Sequence, residues 1–338
     1  MDLDLAKHLA GLSRATYASD PVAALPVAEG ARADVFATPS FRGLAVSDER
    51  AVYLVFRGTK PGPTGNADLR TVLGGWATNL DYKLADLGGY RVHRGFGSEI
   101  DAAMRDLREA ALDHGAERKP LYITGHSAGG ALAKLAARRM HECHVPVRGA
   151  VVFSSPRVGD RAFAGSFPVP LVRVERRHDV VPHQPLPPSL AHAAGRLVVD
   201  RFLDRLELSG RVPGAADFKL ADTEYVHAGE LFYDDGRDAL YRVPPGGYLS
   251  RFGRLMWQEM QADLGRGEAP DAAAYAAARC PRWATPVPAR LLDLVRFSAT
   301  AREVARQTQA GRREFLVDHH IDGALAFILR LVGLAPAR

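Results

Sequence analysis

The chain has 338 residues, of which 47% are hydrophobic and 25% charged, a balance typical of a globular protein with a large buried core. Its net charge is +5, but basic and acidic residues are interleaved, which argues against a nucleic-acid-binding surface. The first residues are acidic where a signal peptide would be basic, and no apolar run is long enough to span a bilayer. We therefore expect a cytoplasmic protein without a transmembrane segment.

The two cysteines, Cys143 and Cys280, lie far apart in the chain and match no metal-ligand spacing. The short run His141–His144 contains two histidines and a cysteine, but it falls at the predicted end of a helix, where polar residues are common. We expect neither a metal site nor a cofactor.

Short apolar runs alternate with helical and irregular stretches along the chain, a pattern that predicts a mostly parallel sheet. The predicted strands cover residues 51–56, 121–124, 149–153, 171–174 and 231–233. A helix is predicted over about 98–114, because its apolar residues recur at helical spacing. Since parallel strands are joined by crossover helices, we expect an α/β fold with helices on both faces of the sheet.

Residues 1–338 are interpreted as a single domain. The stretch 245–313 has helical patterns interrupted by prolines, which predicts a helical insertion or cap between the last strand and the C-terminal segment. An amphipathic helix is predicted to follow from Ile321.

A short glycine-rich motif carries the strongest chemical signal. Residues 125–129 read Gly-His-Ser-Ala-Gly, directly after a predicted strand and before a predicted helix. In this context the G-x-S-x-G pattern predicts a sharp turn that exposes the hydroxyl of Ser127, with the helix N-terminus directed at a developing oxyanion. The motif indicates that Ser127 is a nucleophile.

A nucleophilic serine needs a base and an acid that orients the base, and in the α/β-hydrolase fold the three follow in the order Ser, Asp or Glu, His. Asp179 lies just after the predicted strand 171–174 and is the candidate acid. His319 and His320 lie in the loop before the final helix, where this fold places its base, and position alone does not distinguish them. Other histidines behind Asp179 are His183, His192 and His227.

The sequence resembles the class 3 lipase family, the fungal-type triacylglycerol lipases and their bacterial and plant relatives. The matching blocks are 56–59 (Phe-Arg-Gly-Thr), 76–81 with 92–96, 125–133, 153–160 and 179–182. A further match at 225–230 contains His227 and implies a structural role for that histidine.

The resemblance implies the α/β-hydrolase fold and adds roles for further residues. It implies an oxyanion hole formed by Thr59 and the backbone N–H of Ala128, and it favours His319 over His320 as the base. Because family lipases carry a lid after the first block, residues 60–76 are a candidate lid, with apolar residues at helical spacing beside glycines. A helix packed permanently on the core is an equal alternative for this segment.

The function expected from these features is that of a serine carboxylester hydrolase that cleaves acylglycerols or related lipid esters. Action at a lipid–water interface is compatible with these features, and the sequence does not predict interfacial activation. A phospholipase A1 and a short-chain esterase are alternatives within the same chemistry. An alternative of another class is a lipase-like interaction protein without turnover. The sequence does not predict the oligomeric state.

Overall fold

The computed structural model describes residues 2–27, 30–59, 83–176, 179, 181–185, 225–234, 240–243, 249–250, 286–287, 306 and 319–334. The candidate lid at 60–76 lies outside these residues, as does most of the predicted insertion at 245–313. Within 245–313, the described part contains two short paired strands, at residues 249–250 and 286–287.

The strands are, in chain order, β1 (Arg32–Ala37), β2 (Arg42–Ser47), β3 (Val52–Phe56), β4 (Leu84–Asp86), β5 (Arg91–His93), β6 (Leu121–His126), β7 (Val147–Phe153), β8 (Leu171–Arg176), β9 (Glu230–Asp234), β10 (Leu240–Val243), β11 (Leu249–Ser250) and β12 (Pro286–Val287). Eight of them form one sheet in the order β1-β2-β3-β6-β7-β8-β9-β10. The pairs β3-β6, β6-β7, β7-β8 and β8-β9 are parallel. The pairs β1-β2, β2-β3 and β9-β10 are antiparallel. The carboxyl ends of β6, β7 and β8 therefore meet at one edge of the sheet.

The helices are α1 (Leu3–Ala15), α2 (Arg94–Asp113), α3 (Ala128–Glu142), α4 (Arg161–Gly165) and α5 (Ile321–Leu334), with a 3₁₀ turn at Val181–His183. Helices α2 and α3 bury apolar side chains in the core on one face of the sheet. Helices α1 and α5 contribute to a second core on the other face. This arrangement confirms the predicted α/β fold with helices on both faces. Among the described residues, no helix has the length and apolar character needed to cross a bilayer.

All five predicted strands are present, most of them a few residues longer than predicted. Helix α1 and three strands of the eight-stranded sheet, β1, β2 and β10, were not predicted from the sequence. Strand β1 lies at the edge of the sheet, and its side chains are exposed or half-buried without alternation, so it lacks the period-two pattern that marks a strand. Helix α1 begins where the Asp2 carboxylate accepts hydrogen bonds from the backbone of Asp4 and Leu5.

Helix α2 begins four residues before its predicted start, because His93 caps it. The His93 Nδ1 atom accepts a hydrogen bond from the Phe96 backbone N–H at 3.4 Å. The side chain is buried, and burial lowers the pKa of His93 to about 4. His93 is therefore neutral in the folded protein at neutral pH, as its acceptor role requires.

This burial predicts a pH-dependent stability. An unfolded histidine has a pKa of about 6.5, so between pH 6.5 and 4 the unfolded state binds a proton that folded His93 does not. The free energy of unfolding should therefore fall as the pH is lowered through this window, with His93 contributing up to about 3 kcal/mol. His93→Asn keeps a side-chain acceptor but cannot titrate, so urea unfolding at a series of pH values should give a shallower slope. Equal slopes in the variant and the parent protein would contradict this account.

Candidate active site

Ser127 occupies a strained turn between strand β6 and helix α3. Its backbone has φ 59° and ψ −129°, in the region that side-chain-bearing residues rarely adopt. Three backbone hydrogen bonds hold the turn: Ser127 N–H donates to the Phe153 carbonyl at 2.9 Å, and the Ser127 carbonyl accepts from Gly130 N–H at 2.9 Å and from Ala131 N–H at 3.3 Å. This is the strand–turn–helix geometry that the G-x-S-x-G motif predicts.

Two glycines let the chain cross itself closely at this turn. A Cβ atom on Gly125 would lie 2.3 Å from the Gly129 carbonyl oxygen, and one on Gly129 would lie 2.2 Å from the Phe56 carbonyl oxygen. Real Cβ atoms do not approach backbone oxygens so closely, so neither position accepts a larger residue without backbone movement. The sequence-based explanation of these glycines, a close passage of strand and helix, is confirmed.

His319 and Asp179 complete a hydrogen-bonded chain with Ser127. His319 Nε2 lies 3.0 Å from Ser127 Oγ, and His319 Nδ1 lies 3.0 Å from both carboxylate oxygens of Asp179. All three side chains are buried. Since an ionised carboxylate only accepts hydrogen bonds, Nδ1 carries the imidazole proton and Nε2 is left to accept the serine hydroxyl. The arrangement is that of a nucleophile, a general base and an orienting acid.

The two histidines that sequence position left open differ clearly in the structure. Among the described residues, His319 is the histidine within hydrogen-bond distance of Ser127. His320 is half-buried beside it, and burial, with a smaller effect of nearby His319, lowers the pKa of His320. His227 lies elsewhere, with Nε2 4.0 Å from Glu175 Oε1.

The two predicted oxyanion donors lie on different elements, Thr59 in the loop after β3 and Ala128 at the start of α3. Thr59 lines the cavity that contains Ser127 and His319. Ala128 is the first residue of α3, so its N–H has no partner four residues earlier in the helix. The loop that carries Thr59 packs tightly on the turn, because a Cβ atom on Gly58 would lie 2.5 Å from the His126 carbonyl oxygen. The oxyanion role of Thr59 and Ala128 stays a prediction.

Part of the chain is similar to known proteins. Residues 53–188 match the family model described as lipase (class 3). A lipase from Rhizomucor miehei is 32% identical over 147 residues, which cover 40% of this chain and 38% of that protein.

Residues 53–188 of this chain are therefore similar to the class 3 lipase family.

Two further relatives extend the comparison. Phospholipase A1-II 2 from Oryza sativa subsp. indica is 32% identical over 193 residues, which cover 48% of this chain and 47% of that protein. A solved structure of Rhizomucor miehei triacylglyceride lipase superposes with a TM-score of 0.50 at 19% identity, covering 69% of this chain and 80% of that one, and it supports the fold alone. The chain spans less than half the length of these curated relatives.

Tyr17 and His126 also contact the candidate site, through hydrogen bonds that were not predicted from the sequence. The Tyr17 hydroxyl lies 2.8 Å from His126 Nδ1, and His126 Nε2 lies 2.6 Å from the His319 carbonyl oxygen. A carbonyl only accepts, so Nε2 carries the proton of His126, and Nδ1 accepts from the Tyr17 hydroxyl. Burial, with a smaller effect of His319, lowers the pKa of His126 well below its usual value, which keeps the ring neutral.

Tyr17 also contacts the loop that carries Thr59. The Tyr17 hydroxyl packs closely against Gly58, because a Cβ atom on Gly58 would lie 2.3 Å from the hydroxyl oxygen. Burial raises the pKa of the Tyr17 phenol, so the hydroxyl keeps its proton. Tyr17 thus connects the loop that carries Thr59 to His126, and His126 is hydrogen-bonded to the backbone carbonyl of His319.

These contacts predict that Tyr17→Phe lowers kcat about tenfold with little change in KM. The buried Nδ1 atom of His126 would lose its hydrogen-bond donor, and the position of His319, which His126 contacts, would be less well fixed. Ester hydrolysis kinetics measure both parameters. Tyr53→Phe is the matched control, because the Tyr53 hydroxyl donates to Asp48 away from the site. A Tyr17→Phe enzyme with the kcat of the Tyr53→Phe control would contradict a positioning role for Tyr17.

Proposed function

We propose that the protein is a serine carboxylester hydrolase that cleaves lipid esters through an acyl-enzyme on Ser127. The observation that carries the proposal is the buried chain of hydrogen bonds from Ser127 through His319 to Asp179, built on a strained turn. Backbone strain of this kind persists where the surrounding structure enforces it, and it clusters at active sites. The similarity of residues 53–188 to the class 3 lipase family supports the same reaction class.

The reaction proceeds in two balanced steps. Ser127 Oγ attacks the ester carbonyl carbon while His319 Nε2 takes the hydroxyl proton. The acyl–oxygen bond then breaks, and the same proton passes to the departing alcohol, leaving an acyl group on Ser127. In the second step water gives a proton to His319 and its oxygen to the acyl carbon, and the proton returns to Ser127 as the carboxylic acid leaves.

The remaining groups stabilise charge during these steps. Asp179 holds His319 in the tautomer that can accept from Ser127, and it stabilises the imidazolium that forms. The N–H of Ala128 and a donor from Thr59 face the negative oxygen of the tetrahedral intermediate. Each such donor is worth about 3 kcal/mol in the transition state.

Acylglycerols are the proposed substrate class, since a relative at 32% identity is named a lipase. A phospholipase A1 is the second candidate, because a rice protein of that name matches over a longer stretch, 193 residues against 147. Both candidates use the same triad chemistry on a carboxylic ester, and they differ in the group that the ester oxygen carries.

The proposal is tested by measuring hydrolysis of p-nitrophenyl esters, a triacylglycerol emulsion and phosphatidylcholine vesicles by the purified protein. Hydrolysis of the simple esters supports the reaction class, and the preferred lipid distinguishes the two candidates. The absence of hydrolysis of every ester would overturn the proposal and favour a lipase-like interaction protein.

A further inference from the structure

A cavity of about 510 Å³ opens at Ser127 and extends between helix α1 with the residues after it and the start of helix α5. One wall comes from residues 11–26, at the end of α1 and just after it. The other comes from residues 319–325, at the start of α5. Neither segment lies within residues 53–188, which match the family model. The volume is within the range of pockets that enclose a small ligand.

The walls of this cavity are mainly apolar. Small residues line the N-terminal side, among them Ala15 and Ala18, and Ile321 and Leu325 line the opposite side. Arg14 and Asp322 also line it and form an ion pair of 2.6 Å with both side chains 61% exposed, so a polar contact joins the two walls at the solvent side. An aliphatic group would lose water on entering between these walls.

The position of His319 indicates which half of an ester fits here. In the first step His319 Nε2 gives its proton to the departing alcohol oxygen, so that oxygen must face His319 rather than the oxyanion donors. The cavity wall begins at His319 and continues through His320, Ile321 and Asp322 to Leu325 on the first turns of α5. A group attached to the departing oxygen is therefore directed along this wall.

We propose that the cavity between residues 11–26 and 319–325 binds the alcohol part of the ester, and that it favours an aliphatic alcohol. The inference rests on the proposed ester hydrolysis at Ser127. In this account, residues 11–26 select the leaving group, although they lie outside the residues 53–188 that match the family model.

Two variants change the cavity in opposite directions. Ala18→Leu adds volume to a half-buried wall position and narrows the cavity, and Leu325→Ala widens it. Ala23→Leu is the matched control, since Ala23 is an exposed residue of the same segment that does not line the cavity. Circular dichroism and thermal unfolding establish that each variant is folded.

The experiment compares kcat/KM for two ester series. One series keeps a butyryl group and changes the alcohol from ethyl to octyl, and the other keeps p-nitrophenol and changes the acyl chain over the same lengths. Ala18→Leu should lower the octyl-to-ethyl ratio about tenfold and leave the acyl-length profile within about twofold of the parent. A butyryl ester of a branched alcohol is added to the first series, and Leu325→Ala should raise the relative rate for that ester. Ala23→Leu should match the parent in both series.

A change in the acyl-length profile without a change in the alcohol ratio would show that the cavity holds the acyl chain and would overturn the proposal. Unchanged profiles in both series would also overturn it, because the cavity would then hold no part of the ester. These outcomes differ from failure of the proposed function, in which the parent protein hydrolyses no ester of either series.

Discussion

Ser127→Ala is expected to lower kcat for ester hydrolysis by at least about a thousandfold. The hydroxyl supplies the bond-forming oxygen, and its hydrogen bond to His319 Nε2, at 3.0 Å, is the route by which its proton leaves. Without that oxygen the acyl-enzyme cannot form, and the remaining rate comes from the oxyanion donors and substrate binding alone. Steady-state kinetics with a p-nitrophenyl ester measure the loss.

The variant should fold like the parent protein, because alanine and serine are similarly strained in a backbone conformation with φ 59°. Thermal unfolding should therefore stay within a few degrees of the parent protein. Ser154→Ala is the matched control: Ser154 is also buried, has φ 49° and follows the neighbouring strand β7. We expect the control to keep kcat within about tenfold of the parent. A Ser127→Ala enzyme that retains more than about a thousandth of the parent kcat would contradict the role of Ser127.

His319→Ala should cost about as much activity as Ser127→Ala, because members of a triad act as a unit and their losses do not add. Asp179→Asn should cost somewhat less. The amide at position 179 donates as well as accepts, so it permits the wrong tautomer of His319, while the oxyanion donors remain intact. The double variant Ser127→Ala/His319→Ala should be no slower than either single variant.

His320→Ala is the control for the neighbouring position. Its ring is half-buried beside His319 and lines the proposed alcohol cavity, so its removal should change KM while kcat stays within about tenfold of the parent. If His320→Ala abolishes hydrolysis while His319→Ala does not, the assignment of the base is wrong by one residue. If neither matters, the C-terminal segment has no part in the reaction.

The features that sequence predicted well are those with local causes. The turn at Ser127 is specified by glycines two residues away on each side, and the structure shows that both lie against backbone oxygens. The buried central strands are continuous apolar runs, because both of their faces pack against helices. Asp179 follows from its place after β8, since the carboxyl ends of adjacent parallel strands meet at one edge.

The features that sequence missed depend on contacts between distant parts of the chain. Tyr17 meets His126 across 109 residues, and His126 meets His319 across 193. Neither contact leaves a periodic or spacing signal. His319 and His320 are adjacent and equally placed by chain order, so only the three-dimensional path of the loop before α5 separates them. The N-terminal wall of the cavity could not be predicted from the sequence either, because α1 and α5 come together only in the folded chain.

The central claim is that Ser127 becomes acylated, and a covalent trap tests it most directly. A p-nitrophenyl alkylphosphonate ester transfers its phosphonyl group to an activated serine and releases p-nitrophenol, which mimics the first step without the second. Intact-protein mass spectrometry followed by peptide mapping should show one phosphonyl group per chain, located on Ser127, with none on Ser127→Ala and much slower labelling of His319→Ala. Labelling of a different residue, or unimpaired ester hydrolysis by protein that the phosphonate does not label at Ser127, would contradict the account.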